Sequence, residues 1–541
     1  MKKSIVIILF KVYKSLNVRK TLMEEVMIGA EYLVKVAANL GFDHCFANPG
    51  TTEIPMVAVM DRETRIKPIL SLFEGVCSGA ADGYGRVAQM PALTLTHLGP
   101  GFANSMANLH NARRANTPIL NIIGDHASWH VNYDPPLASD IEAMAKTVSG
   151  WVRTCKQVDA LGSDLQAAMQ AAWQSKGQVA TLIVPMDLQA KEVSASAPLN
   201  LQAHAPKRHL IASQVEDVAA LYQAGKKLVF IVGDSGVYEE GLKAAGRLAQ
   251  LQNVRLFAET FPRISHRGGG LPDLDRLPYF PEVAIEILDQ YDYVVLAGVI
   301  EPISYFGYEG IASRLAEPER LVQLAQVGED VAGALDALAD ALEMPAFEPI
   351  KSQQIELPTA EECLTPASVA KILSYHLVED SIVSIEGGTC GYPFFTASNH
   401  AAKHRVITNT GGAIGQGIPA GFGAALAEPG NRVYCLQSDG SAQYTIQALW
   451  SIARSGLPIT ILISANHRYA ILQNELRRFG IEKFSDTALQ LTELDRPKID
   501  WPALAQAYGV SSTVAKTNAE LSRILATTNQ SPQPHLIVME L

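Results

Sequence analysis

The stretch VYCLQSDGSAQYTIQALWSIARSGLPITILISANH, residues 433–467, reads as strand, turn, helix and strand in one unit. VYCLQ (433–437) is a short apolar run that reaches Asp439 and Gly440, and from Ser441 the apolar spacing turns helical through Ile446, Leu449, Trp450 and Ala453. Gly456 and Pro458 stop the helix, and ITILIS (459–464) is a fully apolar run of strand length that delivers Ala465 and Asn466. Crossovers of this kind are right-handed and join parallel strands, so Asp439 and Asn466 are expected at the carboxyl edge of neighbouring strands, beside a helix N-terminus. A carboxylate and an amide oxygen suit Mg²⁺, which keeps its other positions for water and phosphate oxygens, while free N–H groups at the helix start attract the same phosphates. Taken singly, Asp439 reads as a helix cap and Asn466 as a turn residue. The pair, one at each end of a helix between two strands, is more specific.

In SDGSAQYTIQALW (438–450) and ISANHRYAIL (463–472) the sequence resembles the thiamine diphosphate enzymes, whose cofactor motif runs from Gly-Asp-Gly to Asn. The resemblance implies thiamine diphosphate and Mg²⁺ as cofactors. It makes Asp439, Asn466 and the backbone oxygen of Arg468 the metal ligands, and sets Gly440, Ser441, Tyr469, Ala470 and Ile471 against the cofactor. Ser438 stands where that family usually has Gly, and His467 where a second Asn or a Gly is usual. Both departures bear on turn geometry, and neither removes a ligand.

The chain has 541 residues, enough for two to four domains, and its 48% hydrophobic and 18% charged composition is that of a globular protein. A formal net charge of −11, with no long basic run beyond the first twenty positions, argues against a nucleic-acid partner. The six cysteines (45, 77, 155, 363, 390, 435) are scattered without a Cys-x-x-Cys pair, as expected of reduced thiols in a cytoplasmic protein. IVIILF, near the N-terminus, is too short to span a bilayer, so no membrane partner is expected and residues 1–26 read as a loose extension.

Two Pro-rich or polar stretches, 190–208 and 343–362, interrupt the alternation of strand and helix patterns and read as linkers. The three blocks between them carry buried-strand runs such as ILNIIG, KLVFIVG and ITILIS, which predicts three doubly wound α/β domains with parallel sheets. The resemblance covers the chain from about residue 27. It implies a pyrimidine-binding domain (27–190), a middle domain (205–345) and a diphosphate-binding domain (360–541). In that family the first and third domains face each other across a subunit interface, so a homodimer or homotetramer with active sites at those interfaces is implied.

SLFEGVCSGAADGYGRVAQMPALTL (71–95) opens with a strand-like run and continues as a helix in which Gly79, Ala80, Ala81 and Gly83 leave room for close packing. Glu74 stands at the helix entrance, where a lone Glu is ordinarily exposed and favoured by the helix dipole. The pattern from Glu74 through Asp82-Gly83-Tyr84-Gly85-Arg86 resembles the family segment that carries its catalytic Glu. A carboxyl on the aminopyrimidine favours the imino tautomer, which lets the cofactor act as its own base.

TNTGGAIGQGIPAG (408–421) is rich in glycines that let backbone approach a ligand. The resemblance implies that Gly412 offers its carbonyl to the 4′-amine and that Ile414 props the cofactor in a bent form. The same stretch admits another reading. Gly415-x-Gly417-x-x-Ala420 follows RVIT with Asp439 further on, a pattern that could mark a dinucleotide fingerprint and a nicotinamide oxidoreductase. That reading leaves Asn466 and Glu74 without a role. IEGGT (385–389) ends a strand in a Gly-rich turn, and Gly387, Gly388 and Thr389 are expected to complete a phosphate cradle with Gly440 and Ser441.

FANPGTTEIP (46–55) resembles the Asn-Pro-Gly-Ser/Thr loop of benzoylformate decarboxylase, which sets Thr51 near a substrate carboxylate. THLGPGFANSMANLHNAR (96–113) can be matched to the same enzyme, with His97 as a proton relay and Asn104 at the substrate; a histidine packed at a strand end is the alternative. The second histidine of such enzymes is not evident, and GVIEPISYFGY (298–308) offers Tyr305 or Phe306 instead. HLGPG and NLHNARRANTPILNIIGDHA (108–127) also resemble the acetolactate-synthase-like branch. RGGGL (267–271) lacks the context of a nucleotide loop, so no flavin (FAD) is expected. The expected activity is decarboxylation of a 2-oxo acid with acetolactate-type ligation as the second half. Simple decarboxylation is the alternative, and a catalytically silent cofactor-binding subunit a more distant one.

Overall fold

Parallel β-strands buried on both faces need continuous apolar runs, and the runs read above form three separate sheets. The computed structural model describes residues 27–541 apart from residue 352, so the extension read at 1–26 lies outside the described residues. The first sheet contains β1 (His44–Asn48), β2 (Lys67–Leu70), β3 (Ala92–His97), β4 (Ile119–Asp125), β5 (Trp151–Thr154) and β6 (Val179–Pro185). They lie in the order β2-β1-β3-β4-β6-β5, all parallel. The second contains β7 (Leu228–Val232), β8 (Val254–Ala258), β10 (Asp275–Arg276), β11 (Tyr293–Ala297) and β12 (Leu321–Ala325), again all parallel, in the order β10-β8-β7-β11-β12.

The third sheet is built from β13 (Ser381–Ile385), β14 (His404–Thr408), β15 (Val433–Ser438), β16 (Ile459–Ala465), β17 (Ser511–Ala515) and β18 (His535–Glu540). A seventh strand, β9 (Ser265–Arg267), comes from between β8 and β10 in the chain and pairs antiparallel with β14. The RGGGL segment follows it, and Gly268, Gly269 and Gly270 all have positive φ. These glycines turn the chain back out of the third sheet.

β15 and β16 pair in parallel, as the opening stretch predicts. The crossover between them differs from the expectation in one respect. It starts at Asp439 rather than Ser441 and runs as a short helix (Asp439–Ala442), a 3-10 turn (Gln443–Thr445) and a second helix (Ala448–Ser455). Gly456 ends it in the left-handed conformation at φ 63°.

The small-residue helix Glu74–Ala88 packs on Gly417–Ala427, and the fit is backbone against backbone. A Cβ at Gly83 would lie 1.9 Å from the Ala420 carbonyl oxygen, and one at Gly423 would lie 1.8 Å from that of Ala80. One continuous apolar core consequently joins the first and third sheets, running from Phe46 and Ile123 to Ile382 and Val538. The second sheet has cores of its own. No helix among the described residues is long and apolar enough to cross a membrane.

Candidate functional site

Three chain segments meet at the carboxyl edge of the third sheet. The first follows β13, where the helix Gly388–Ala397 begins. A Cβ on Gly387 would fall 2.7 Å from Ser438 Oγ, so only glycine fits there. The second is the turn after β15, with Asp439, Gly440 and Ser441 all buried at the first helical turn. The third follows β16, where Asn466 Nδ2 donates to Thr389 Oγ1 at 3.2 Å and Asn466 Oδ1 accepts from Arg468 N at 3.2 Å. A side chain on Gly440 would strike the ring of Tyr469, 2.5 Å away. Ala470 then starts a helix (Ala470–Arg478), and Ile471 is half exposed.

Asp439 is 1% exposed, and its carboxylate accepts only from backbone, Gly440 N at 2.8 Å and His467 N at 2.6 Å. Burial raises its pKa above the ordinary carboxylate range. Among the described residues no basic side chain pairs with it, which leaves this buried carboxylate available to a cation. Among the described residues no three His, Cys, Asp or Glu side chains converge on one point. A metal here would be held by one carboxylate with neutral oxygens, the donor set that suits Mg²⁺ completed by phosphate. The two departures from the family motif are accommodated. Ser438 has extended backbone (φ −96°), which any residue adopts, and His467 takes the left-handed conformation at φ 53°. His467 also reaches Glu540 at 3.2 Å.

A second cluster lies in the first sheet. Glu74 opens its helix as predicted but is buried rather than exposed. Asn104, expected at the substrate, donates through Nδ2 to Glu74 Oε2 at 3.0 Å. Gly101 keeps room beside the carboxyl, since a Cβ there would come 3.1 Å from Glu74 Oε1. His97 ends β3, and its ring packs on Gly50, where a Cβ would lie 2.3 Å from the ring carbon. Thr51 begins a 3-10 turn (Thr51–Glu53) and is exposed beside this cluster.

Glu53 is a member of this cluster that the sequence reading missed. Fully buried, it accepts from Gly50 N at 2.7 Å and from Thr52 Oγ1 at 2.5 Å, and its Oε2 lies 2.9 Å from His97 Nδ1. In sequence it is a Glu three residues past Gly50, which reads as an ordinary capping side chain.

The Gly-rich loop 409–415 is held by the helix Leu98–Arg114. Asn111 Nδ2 donates to Ala413 O at 2.7 Å, and Asn108 Nδ2 to Gly415 O at 3.2 Å. Gly412 has φ 78°, its Cβ position faces Tyr305 Oη at 3.0 Å, and Ile414 remains 36% exposed. The dinucleotide reading of this loop meets an obstacle. The start of helix Gly417–Ala427 is already capped by Glu386, which accepts from Gly415 N and, at 2.5 Å, from Gly417 N. A carboxylate there occupies the position a pyrophosphate would need. No hydrogen bond among the described residues joins the Glu74 cluster to the Asp439 cluster.

Residues 27–148 match the family model described as thiamine pyrophosphate enzyme, N-terminal TPP binding domain, and residues 389–539 match its C-terminal TPP binding domain. The chain is 42% identical over 513 residues to a Mycobacterium tuberculosis protein provisionally named acetolactate synthase large subunit IlvX, covering 94% of this chain and 98% of the relative. It is 26% identical to benzoylformate decarboxylase of Pseudomonas aeruginosa, over 92% of this chain and 96% of that enzyme. Among solved structures, a thiamine diphosphate-dependent 4-hydroxybenzoylformate decarboxylase of Rhodococcus jostii superposes with a TM-score of 0.83 at 21% identity. That match covers 95% of this chain and 99% of the other.

Proposed function

The chain belongs to the thiamine pyrophosphate enzymes, and from that membership we propose that it uses thiamine diphosphate and Mg²⁺ to decarboxylate a small 2-oxo acid. The observation that carries this reading is Asp439, a buried carboxylate at a helix start that accepts from the backbone of His467, the residue after Asn466, and has no basic side-chain partner among the described residues. Asp439, Asn466 and the Arg468 carbonyl would hold the metal, and Gly387, Gly388, Thr389, Gly440 and Ser441 the diphosphate. Gly412, Ile414, Tyr469, Ala470 and Ile471 would line the rest of the cofactor. When bound, thiamine diphosphate supplies an electron sink next to the substrate carboxylate, so that CO₂ can leave.

The residues of this chain hold and move protons around that chemistry. Asn104 fixes Glu74 Oε2 with an N–H bond, which would leave Oε1 to face the aminopyrimidine. Glu53 and Thr52 both face His97 Nδ1. The Thr52 hydroxyl already donates to Glu53, so Nδ1 carries the hydrogen and Nε2 is the atom left to exchange a proton with substrate. A carboxylate-held imidazole favours protonation after CO₂ loss, which releases an aldehyde. Thr51 is the substrate-carboxylate contact in this reading. The second reading, ligation to another 2-oxo acid, is favoured by the name of the mycobacterial relative.

No hydrogen bond among the described residues joins the Glu74 and Asp439 clusters. The exposed apolar side chains around the second of them, Tyr444, Ile471 and Leu472, fit a homodimer or homotetramer in which the two clusters meet across subunits. Product analysis after incubation with pyruvate and with phenylglyoxylate tests the choice. An aldehyde supports the protonation reading, and a 2-hydroxy-2-alkyl-3-oxo acid supports ligation.

A further inference from the structure

A cleft of about 750 Å³ opens between the edge of the second sheet and the helix Gly388–Ala397. Its walls are aromatic: Phe257, Tyr279, Phe280, Tyr392 and Phe395. Three arginines reach it. Arg255 pairs with Asp275, and Arg267 pairs with Asp273 at 2.7 Å. Arg276 has no carboxylate partner among the described residues. Its guanidinium lies 3.6 Å from the Phe395 ring centroid and 5.1 Å from that of Tyr392, and it donates to the Thr260 carbonyl at 3.3 Å. Burial pushes its pKa down to about 10, which leaves it charged at neutral pH.

We propose that this cleft is a binding site for an aryl carboxylate, with the carboxylate on the Arg276 guanidinium and the ring among Tyr279, Phe280 and Phe395. Stacking on Phe395 engages the face of the guanidinium and leaves its edge, with most of its five donors, free for a two-pronged bond to a planar anion. The two aspartates at the cleft are already bound to other arginines, so the local excess of charge is positive. A flat apolar body is called for because the walls offer rings, and the volume falls within the range of small-molecule sites. None of the residues assigned above to the cofactor lines the cleft, and Tyr279 in its wall packs its ring on Tyr305, which faces Gly412, with the two centroids 5.4 Å apart. The cleft is coupled to the cofactor residues through the helix Gly388–Ala397, which bears Tyr392 at the cleft and Thr389 beside Asn466.

Titration calorimetry of benzoate into the purified full-length protein tests the assignment. The expected result is saturable binding in the millimolar range that weakens about tenfold or more in Arg276→Gln. Neutral benzyl alcohol should bind native protein and Arg276→Gln alike. A Thr396→Trp variant, which fills the cleft while keeping Arg276, should abolish benzoate binding, and it decides the matter if Arg276→Gln does not fold. No binding up to about 10 mM, equal affinity in Arg276→Gln, or undiminished binding in Thr396→Trp would each overturn the proposal.

Discussion

Oε2 of Glu53 lies 2.9 Å from Nδ1 of His97, although the two residues come from different turns of the first sheet and are 44 positions apart. The bond aims the imidazole and assigns its hydrogen to Nδ1. Glu53→Gln keeps the shape but loses the acceptor pair, so kcat should fall about 10- to 100-fold with KM changed by less than about threefold. His97→Ala should lower kcat about 100-fold or more while thiamine diphosphate binding is retained. Steady-state kinetics beside cofactor titration separates these outcomes from a packing role, which would appear as lost stability instead.

Glu74 is buried with Asn104 as its hydrogen-bond donor. Asn104→Leu should leave the carboxyl misaimed and reduce kcat by roughly tenfold to a hundredfold, with the protein still folded. Circular dichroism of the variant checks the fold, and rescue by Asn104→Gln would argue that the amide group matters rather than the volume.

Asp439 is the one carboxylate of the proposed metal set. Asp439→Asn should weaken Mg²⁺-dependent binding of thiamine diphosphate more than tenfold, and chelation of the metal from the native protein should do the same. Fluorescence titration of cofactor at fixed Mg²⁺ measures both. Unchanged affinity would remove Asp439 from the site.

His404, wholly buried in β14, has its pKa pushed down to about 3 by desolvation and the nearby Arg267, and His266 in β9 is pushed down to about 4. Both are neutral in the folded protein and ordinary imidazoles when unfolded. Between pH 6.5 and about 4 the unfolded chain therefore binds more protons, and stability falls as pH falls through that window. His404 alone contributes up to about 1.4 kcal/mol per pH unit. Urea midpoints measured at pH 7 and pH 5 should differ less in His404→Gln than in the native protein, because β9 and β14 no longer have that imidazole to charge.

Gly83→Ala inserts a methyl at 1.9 Å from the Ala420 oxygen, where backbone rather than a flexible side chain must yield. A loss of roughly 1–3 kcal/mol is expected, seen as a lower urea midpoint. Because this contact seats the first sheet's helix on the third, cofactor affinity should drop in parallel.

Much of this was legible in sequence where the signal is local. The apolar runs became the parallel strands, the small-residue helix signalled close packing, and one strand-helix-strand unit carried Asp439 and Asn466 to a common edge. The failures share a physical cause. Glu53, Glu386 and β9 act through partners far away in the chain: His97, the Gly415–Gly417 backbone and β14. A glutamate near a turn has the same local appearance whether it caps a helix at the surface or holds a half-buried imidazole. The helix start at Asp439 rather than Ser441 was missed because apolar periodicity says nothing about a first turn made of Asp, Gly and Ser.

The most direct test is CO₂ release from a panel of 2-oxo acids, pyruvate and phenylglyoxylate included, by native protein and Glu74→Gln, each with and without thiamine diphosphate and Mg²⁺. The account predicts CO₂ from at least one acid only when both cofactors are present, and a loss of at least about 100-fold in Glu74→Gln despite intact cofactor binding. CO₂ release that ignores the cofactors, or a Glu74→Gln variant as active as the native protein, would contradict it.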